Sequence, residues 1–173
     1  MARSPVQRGL PYAVTDNTLL SRLVDLQIAQ FLPLLFKQIL IPPEVKREAY
    51  KAPHKGKRRL MNLFGEMTGF FTDCIEADDL VKEYLKADLH DGEAAAIAQA
   101  DFTKSVLLID EKKGYDRART MQLRIVRTGR LLVMLKEVTA ILEVRPYLER
   151  LKALDFRLTT ELFNQLLAEA GEE

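Results

Sequence analysis

Four short apolar runs, YAVT (12–15), KQILI (37–41), SVLLID (105–110) and RIVRT (124–128), are separated by stretches long enough to form helices. This alternation constrains the chain more than any other feature. Runs so short and so uniformly apolar have no face to give to water, so helices must cover both sides of the sheet they form. A helix between consecutive strands makes them parallel, and the expected class is α/β with a mainly parallel sheet.

The intervening stretches carry helical spacing. Leu19, Leu20, Leu23, Val24 and Leu26 recur as one face of a helix, and Pro33 inside IAQFLPLLF predicts a short second helix starting near it. PP at 42–43 stops the second strand and opens a helix through PEVKREAYK, since proline is tolerated in the first turn. Residues 52–59, APHKGKRR, read as a loop or a frayed helix end, and GFFTDCI (69–75) reads equally as helix or strand. Helices are expected over ADDLVKEYLKADL, DGEAAAIAQADF, YDRARTMQL and GRLLVMLKEVTAIL, then near 145–154 and 159–170. Residues 1–11, with two prolines and a glycine, read as a tail before one domain spanning 12–170.

Composition narrows the function classes. A net charge of +1 gives no global pull toward nucleic acid or membrane. The opening MARSPVQRGLPYAV has early positive charge without an apolar stretch after it, and no run nears the about 18 apolar residues of a membrane span. The lone Cys74 makes no internal disulfide and reads as a small apolar filler, which fits a cytoplasmic protein. His54 and His90 are isolated, so no zinc spacing exists, and no glycine-rich phosphate loop is present.

Charge is segregated locally. Residues 46–59 and 112–130 are strongly basic, and 66–93 are acidic. Basic walls for a polyanion beside an acidic centre would produce this pattern, and so would solvated helix faces.

Asp16 follows the first strand and Asp110 ends the third; parallel strands bring both to the carboxyl edge, where open α/β sheets bind ligands. Glu48 lies one turn into its helix and Glu93 in the first turn of the alanine-rich helix, so both can reach that edge. Four carboxylates together would raise one another's pKa, and a hard divalent cation such as Mg²⁺ or Mn²⁺ relieves this. Taken singly, Asp91 is an ordinary helix cap, Glu93 suits a helix dipole, and Asp16 and Asp110 start turns.

In order, VTDNTLLSRL, ILIPPEVKREA, DGEAAAIAQA, VLLIDEKKGYDRA and VRPYLERLKALDFRLTTELFNQLL resemble the PIN-domain nucleases, and within them a branch of small prokaryotic proteins related to VapC-type toxins. The resemblance implies a three-layer sandwich around the sheet, with C-terminal helices. It implies a Mg²⁺- or Mn²⁺-dependent endoribonuclease whose acidic quartet falls on Asp16, Glu48, Glu93 and Asp110. A metal-activated water would attack phosphorus in line, leaving a 5′-phosphate and a 3′-hydroxyl. Thr18 matches a hydroxyl that supports the first aspartate, and Lys112, Lys113 and Arg117 would contact the RNA backbone. Implied partners are RNA, a small antitoxin and a second copy of the chain, with no membrane.

Two positions depart from the family pattern: Glu111 stands where a second aspartate is frequent, and Asn17 where threonine is usual. Residues 52–88 match poorly. A non-catalytic PIN-like module binding RNA or a protein is the competing expectation. A phospho-receiver fits worse, because Asp16 lacks an acidic neighbour and RIVRT lacks the lysine that class requires.

Overall fold

The computed structural model describes residues 9–74, 79–154 and 156–172. Most of the expected N-terminal tail, together with Glu76 and Asp78 of the acidic run, lies outside them. The sheet has five strands, β1 (Ala13–Thr15), β2 (Ile39–Ile41), β3 (Phe71–Asp73), β4 (Val106–Leu108) and β5 (Ile125–Val126). All pair in parallel, in the order β3-β2-β1-β4-β5. Val14 is in register with Leu40 on one side and Leu107 on the other.

Strand side chains alternate between the two faces. Ala13, Ile39, Ile41, Val106 and Leu108 turn to the larger core, under α1 (Asn17–Asp25), α3 (His54–Glu66) and α7 (Thr128–Glu137), with α8 (Arg145–Ala153) and α9 (Thr160–Glu169) also packed there. Val14, Leu40, Leu107 and Ile109 turn the other way, onto α4 (Asp79–Lys86), α5 (Asp91–Thr103) and α6 (Lys112–Thr120). Each large strand side chain buried this way contributes about 1.5–3 kcal/mol. The result is the expected three-layer arrangement.

Helix α2 (Pro43–Lys51) starts at the proline pair as expected and packs on both α3 and α5. A 3₁₀ turn at Ala29–Leu34 holds Pro33. The α5 helix is buried on every side from Gly92 to Ala100. Its alanines let the sheet, α2 and α4 all approach closely, which longer side chains would prevent.

Three sequence expectations change. Residues 54–66 form a full helix, α3, although Leu60 is its only buried side chain. GFFTDCI resolves as a strand over Phe71–Asp73. Asp91 is the first residue of α5 and not its cap; His90 holds the cap position. At the far end, Glu172 accepts hydrogen bonds from the Val144 and Arg145 amides, 2.6 and 3.0 Å, capping α8 from outside it, and pairs with Lys136. No described helix is long and apolar enough to cross a membrane.

Candidate active site

The chain leaves β1 toward β2 on one side and β4 on the other, so the sheet's switch point lies between β1 and β4. Ligands of open α/β sheets bind at the carboxyl end of that junction. Here a cleft of about 1240 Å³ opens, lined by Asp16, Glu48, Glu93, Glu44 and Glu111 among others.

Asp16 follows β1 directly and caps α1: its Oδ1 accepts the Leu19 amide at 2.9 Å. Its other oxygen, Oδ2, is buried without a hydrogen-bond partner among the described residues, and the residue is only 2% exposed. Glu93 repeats the device on α5. Its Oε2 accepts the His90 amide at 3.2 Å, and Oε1 is buried without a partner. Each acid therefore commits one oxygen to a helix N-terminus and leaves the other free. Capping and cation binding, alternatives from sequence, are compatible in the same side chain.

The electrostatics follow from this burial. Asp16 is pushed up to about 7, by burial first and then by Asp110 and Glu93, against the Leu19 amide and Arg22. Glu93 is also raised, chiefly by burial, with Glu111 and Glu48 adding to it. Glu48 reaches from α2 to accept the Gly92 amide at 2.8 Å. Gly92 makes this possible: a Cβ there would collide with the Glu48 carboxylate. Gly114 serves similarly, since a Cβ would sit 2.5 Å from Ile109 Cδ1 and 3.2 Å from Glu93 Oε1.

Asp110 is placed differently. It is 4% exposed and does not line the cleft. Its Oδ1 accepts the Thr128 amide at 2.9 Å, and its Oδ2 accepts the Thr128 hydroxyl at 2.6 Å and Arg22 Nη1 at 2.8 Å. Arg117 lies to one side of the cleft. It pairs with Asp88, lies 5.3 Å from the Tyr84 ring centroid, and lines an adjoining hollow rather than the main cleft. Thr18, Lys112 and Lys113 do line the cleft.

Sequence reasoning missed the rest of the wall. Glu44, 7% exposed, bonds Lys82 at 3.1 Å and Arg47 at 3.6 Å. Burial acts against its charge, yet its own backbone amide, Lys82 and Arg47 hold its carboxyl below the usual range. Arg47, Lys51 and Lys86 line the cleft above these buried acids. The signal for two of them was the i, i+4 spacing of Arg47 and Lys51 within the basic run. The run itself divides: Lys46 is spent on Asp73 and Arg59 on Asp25.

Among the described residues, no three acidic, histidine or cysteine side chains are drawn together closely enough to hold a metal ion unaided. The donor set nevertheless fits Mg²⁺ or Mn²⁺. These ions take hard oxygens and often bind through one or two carboxylates, waters and substrate phosphates, and Asp16 Oδ2 and Glu93 Oε1 are buried oxygens lacking any other partner.

Residues 12–172 match the PIN domain family, and the chain belongs to it. Among solved structures it is similar to a chain in VapBC2 from Rickettsia felis, crystallised bound to a DNA fragment from the promoter. That likeness has 12% identity, covers 67% of this chain and 98% of the other, and has a TM-score of 0.49. No curated protein matches it.

Proposed function

We propose that this PIN domain is a divalent-metal-dependent endoribonuclease. The carrying observation is the pair of buried, unpartnered carboxylate oxygens, Asp16 Oδ2 and Glu93 Oε1, beneath a basic rim. Asp16 and Glu93 would hold Mg²⁺ or Mn²⁺, with Glu48 orienting from the α2 side. When bound, the cation lowers the pKa of a water and offsets charge building on the phosphodiester. Arg47, Lys51, Lys86, Lys112 and Lys113 would grip the RNA backbone, and Thr18 and Asn17 line the floor beside Asp16. Asp110, the fourth acid of the sequence resemblance, would sit beneath this set.

The resemblance to VapC-type proteins extends the reading. On it, the chain is the toxin of a toxin–antitoxin pair, acting in the cytoplasm as a homodimer and neutralised by a small antitoxin.

The test is cleavage of a labelled, structured RNA pool with Mn²⁺ or Mg²⁺, comparing the wild type with Asp16→Asn and Glu93→Gln. Metal-dependent cutting lost in both variants is the expected result. RNA binding by wild type with no cutting under either metal overturns it, in favour of a non-catalytic RNA- or protein-binding module. What favours that second reading is that, among the described residues, no three acidic, histidine or cysteine side chains form a ready-made metal site.

A further inference from the structure

Four carboxylates at this sheet edge bind helix N-termini, Asp16, Glu48, Glu93 and Asp110, and three of them divide into two kinds. Asp16 and Glu93 each keep one oxygen without a partner. Asp110 keeps neither free: three donors, one of them a guanidinium, occupy its two oxygens. A carboxylate accepts about four hydrogen bonds in all, so little capacity remains. Arg22 also places a positive charge beside it that would repel a cation.

The neighbouring acid has the opposite environment. Glu111 is exposed at the start of α6 and lines the cleft, and its side chain makes no hydrogen bond or ion pair among the described residues. It lines the same cleft as Asp16 and Glu93.

Resting on the nuclease reading, we infer that Glu111, not Asp110, completes the cation-facing acids of the cleft, and that Asp110 is a positioning residue. Asp110 ties the end of β4 to the first turn of α7 through Thr128, and to α1 through Arg22. Arg22 in turn lies 4.6 Å from the Phe156 ring centroid, so the clasp also fixes the segment between α8 and α9. This clasp holds β4 in place, and with it the α6 start that presents Glu111. The longer glutamate at 111 suits a group that must reach inward from an exposed position.

Two readouts on the full chain test this: Mn²⁺ affinity, followed by the electron paramagnetic resonance signal of the free ion, and melting of the metal-free protein. Wild type should bind Mn²⁺ and Asp16→Asn should not, which tests the nuclease reading separately. Glu111→Gln should weaken Mn²⁺ binding by about tenfold or more while leaving the metal-free melting temperature nearly unchanged. Asp110→Asn should lower that temperature by about 5 °C or more and leave Mn²⁺ affinity within about threefold when measured below its transition. Thr128→Val, which opens the clasp from its other side, should lower melting by less and also spare Mn²⁺ affinity; it carries the test if Asp110→Asn does not fold. Mn²⁺ affinity unchanged in Glu111→Gln overturns the inference. So does loss of affinity in Asp110→Asn with melting unchanged. Failure of wild type to bind Mn²⁺ overturns the nuclease reading and the Glu111 assignment with it.

Discussion

Glu48 Oε1 accepts the Gly92 amide at 2.8 Å, and it can do so only because residue 92 has no side chain. One backbone position thus sets where a carboxylate from a different helix stands. Gly92→Ala should force Glu48 aside with little change in stability, because the collision is with the end of a flexible side chain. It should also cut RNA cleavage by about 10–100-fold, as expected for a group that orients metal ligands. Thermal melting and a cleavage assay on the same preparation check both effects. Unimpaired cleavage would show that Glu48 has no part in the chemistry.

Burial of Asp16 makes the metal-free protein sensitive to pH. Its pKa rises from 3.8 unfolded to about 7 folded, so the folded state holds the extra proton between those values. Stability from this group is therefore full below about pH 4 and is lost as pH rises through about 7. The difference is on the order of 4 kcal/mol at most. Asp16→Asn keeps a capping side chain and removes the titration, so metal-free wild type should become the less stable of the two above about pH 7. Urea unfolding at pH 4.5 and pH 8 measures this; equal pH slopes would refute it.

Glu44 and Lys82 join α2 to α4 in a half-dry environment, with side chains 8% and 17% exposed. Lys82→Met should destabilise the fold by about 1–3 kcal/mol, because Glu44 keeps a buried charge with Arg47, at 3.6 Å, as its remaining ion-pair partner among the described residues. Adding Glu44→Gln should recover part of the loss. Because the Glu44 pKa is held down, the wild-type advantage exists above its ordinary value of 4.5 and fades as pH falls through the depressed one. A double-mutant cycle run at neutral pH and near pH 3 tests both statements.

The basic rim predicts a salt signature. Arg47→Ala and Lys51→Ala should each lessen the slope of log affinity against log salt by about 0.7–1 for single-stranded RNA. Arg59→Ala, on α3 and paired with Asp25, should leave the slope unchanged. Equal slopes in all three variants would remove the RNA backbone from this face.

Much of the fold was legible because its signals are local. The apolar runs at 12–15 and 105–110 have only one burial pattern open to them, and Asp16 and Glu93 sit at helix starts that their neighbours define. Helix α3 was not legible, since only Leu60 is buried and the His54-Lys55-Gly56-Lys57 start shows no apolar period. The contacts of Asp110 were not legible for a different reason. Its partner Arg22 lies 88 residues away in sequence, and no local pattern records a long-range bond. Arg117 was drawn from the cleft by Asp88 and Tyr84 in the same way.

The Glu172 cap on α8 has a consequence for the order in which the chain can be completed. The Val144 and Arg145 amides leave the ribosome well before the carboxylate that satisfies them, which follows 28 and 27 residues later. The first turn of α8 must therefore rely on water during synthesis, and it gains its protein partner only after α9 has emerged and docked. The Glu172 cap is therefore completed later than the helix it serves, whatever the speed with which the sheet assembles.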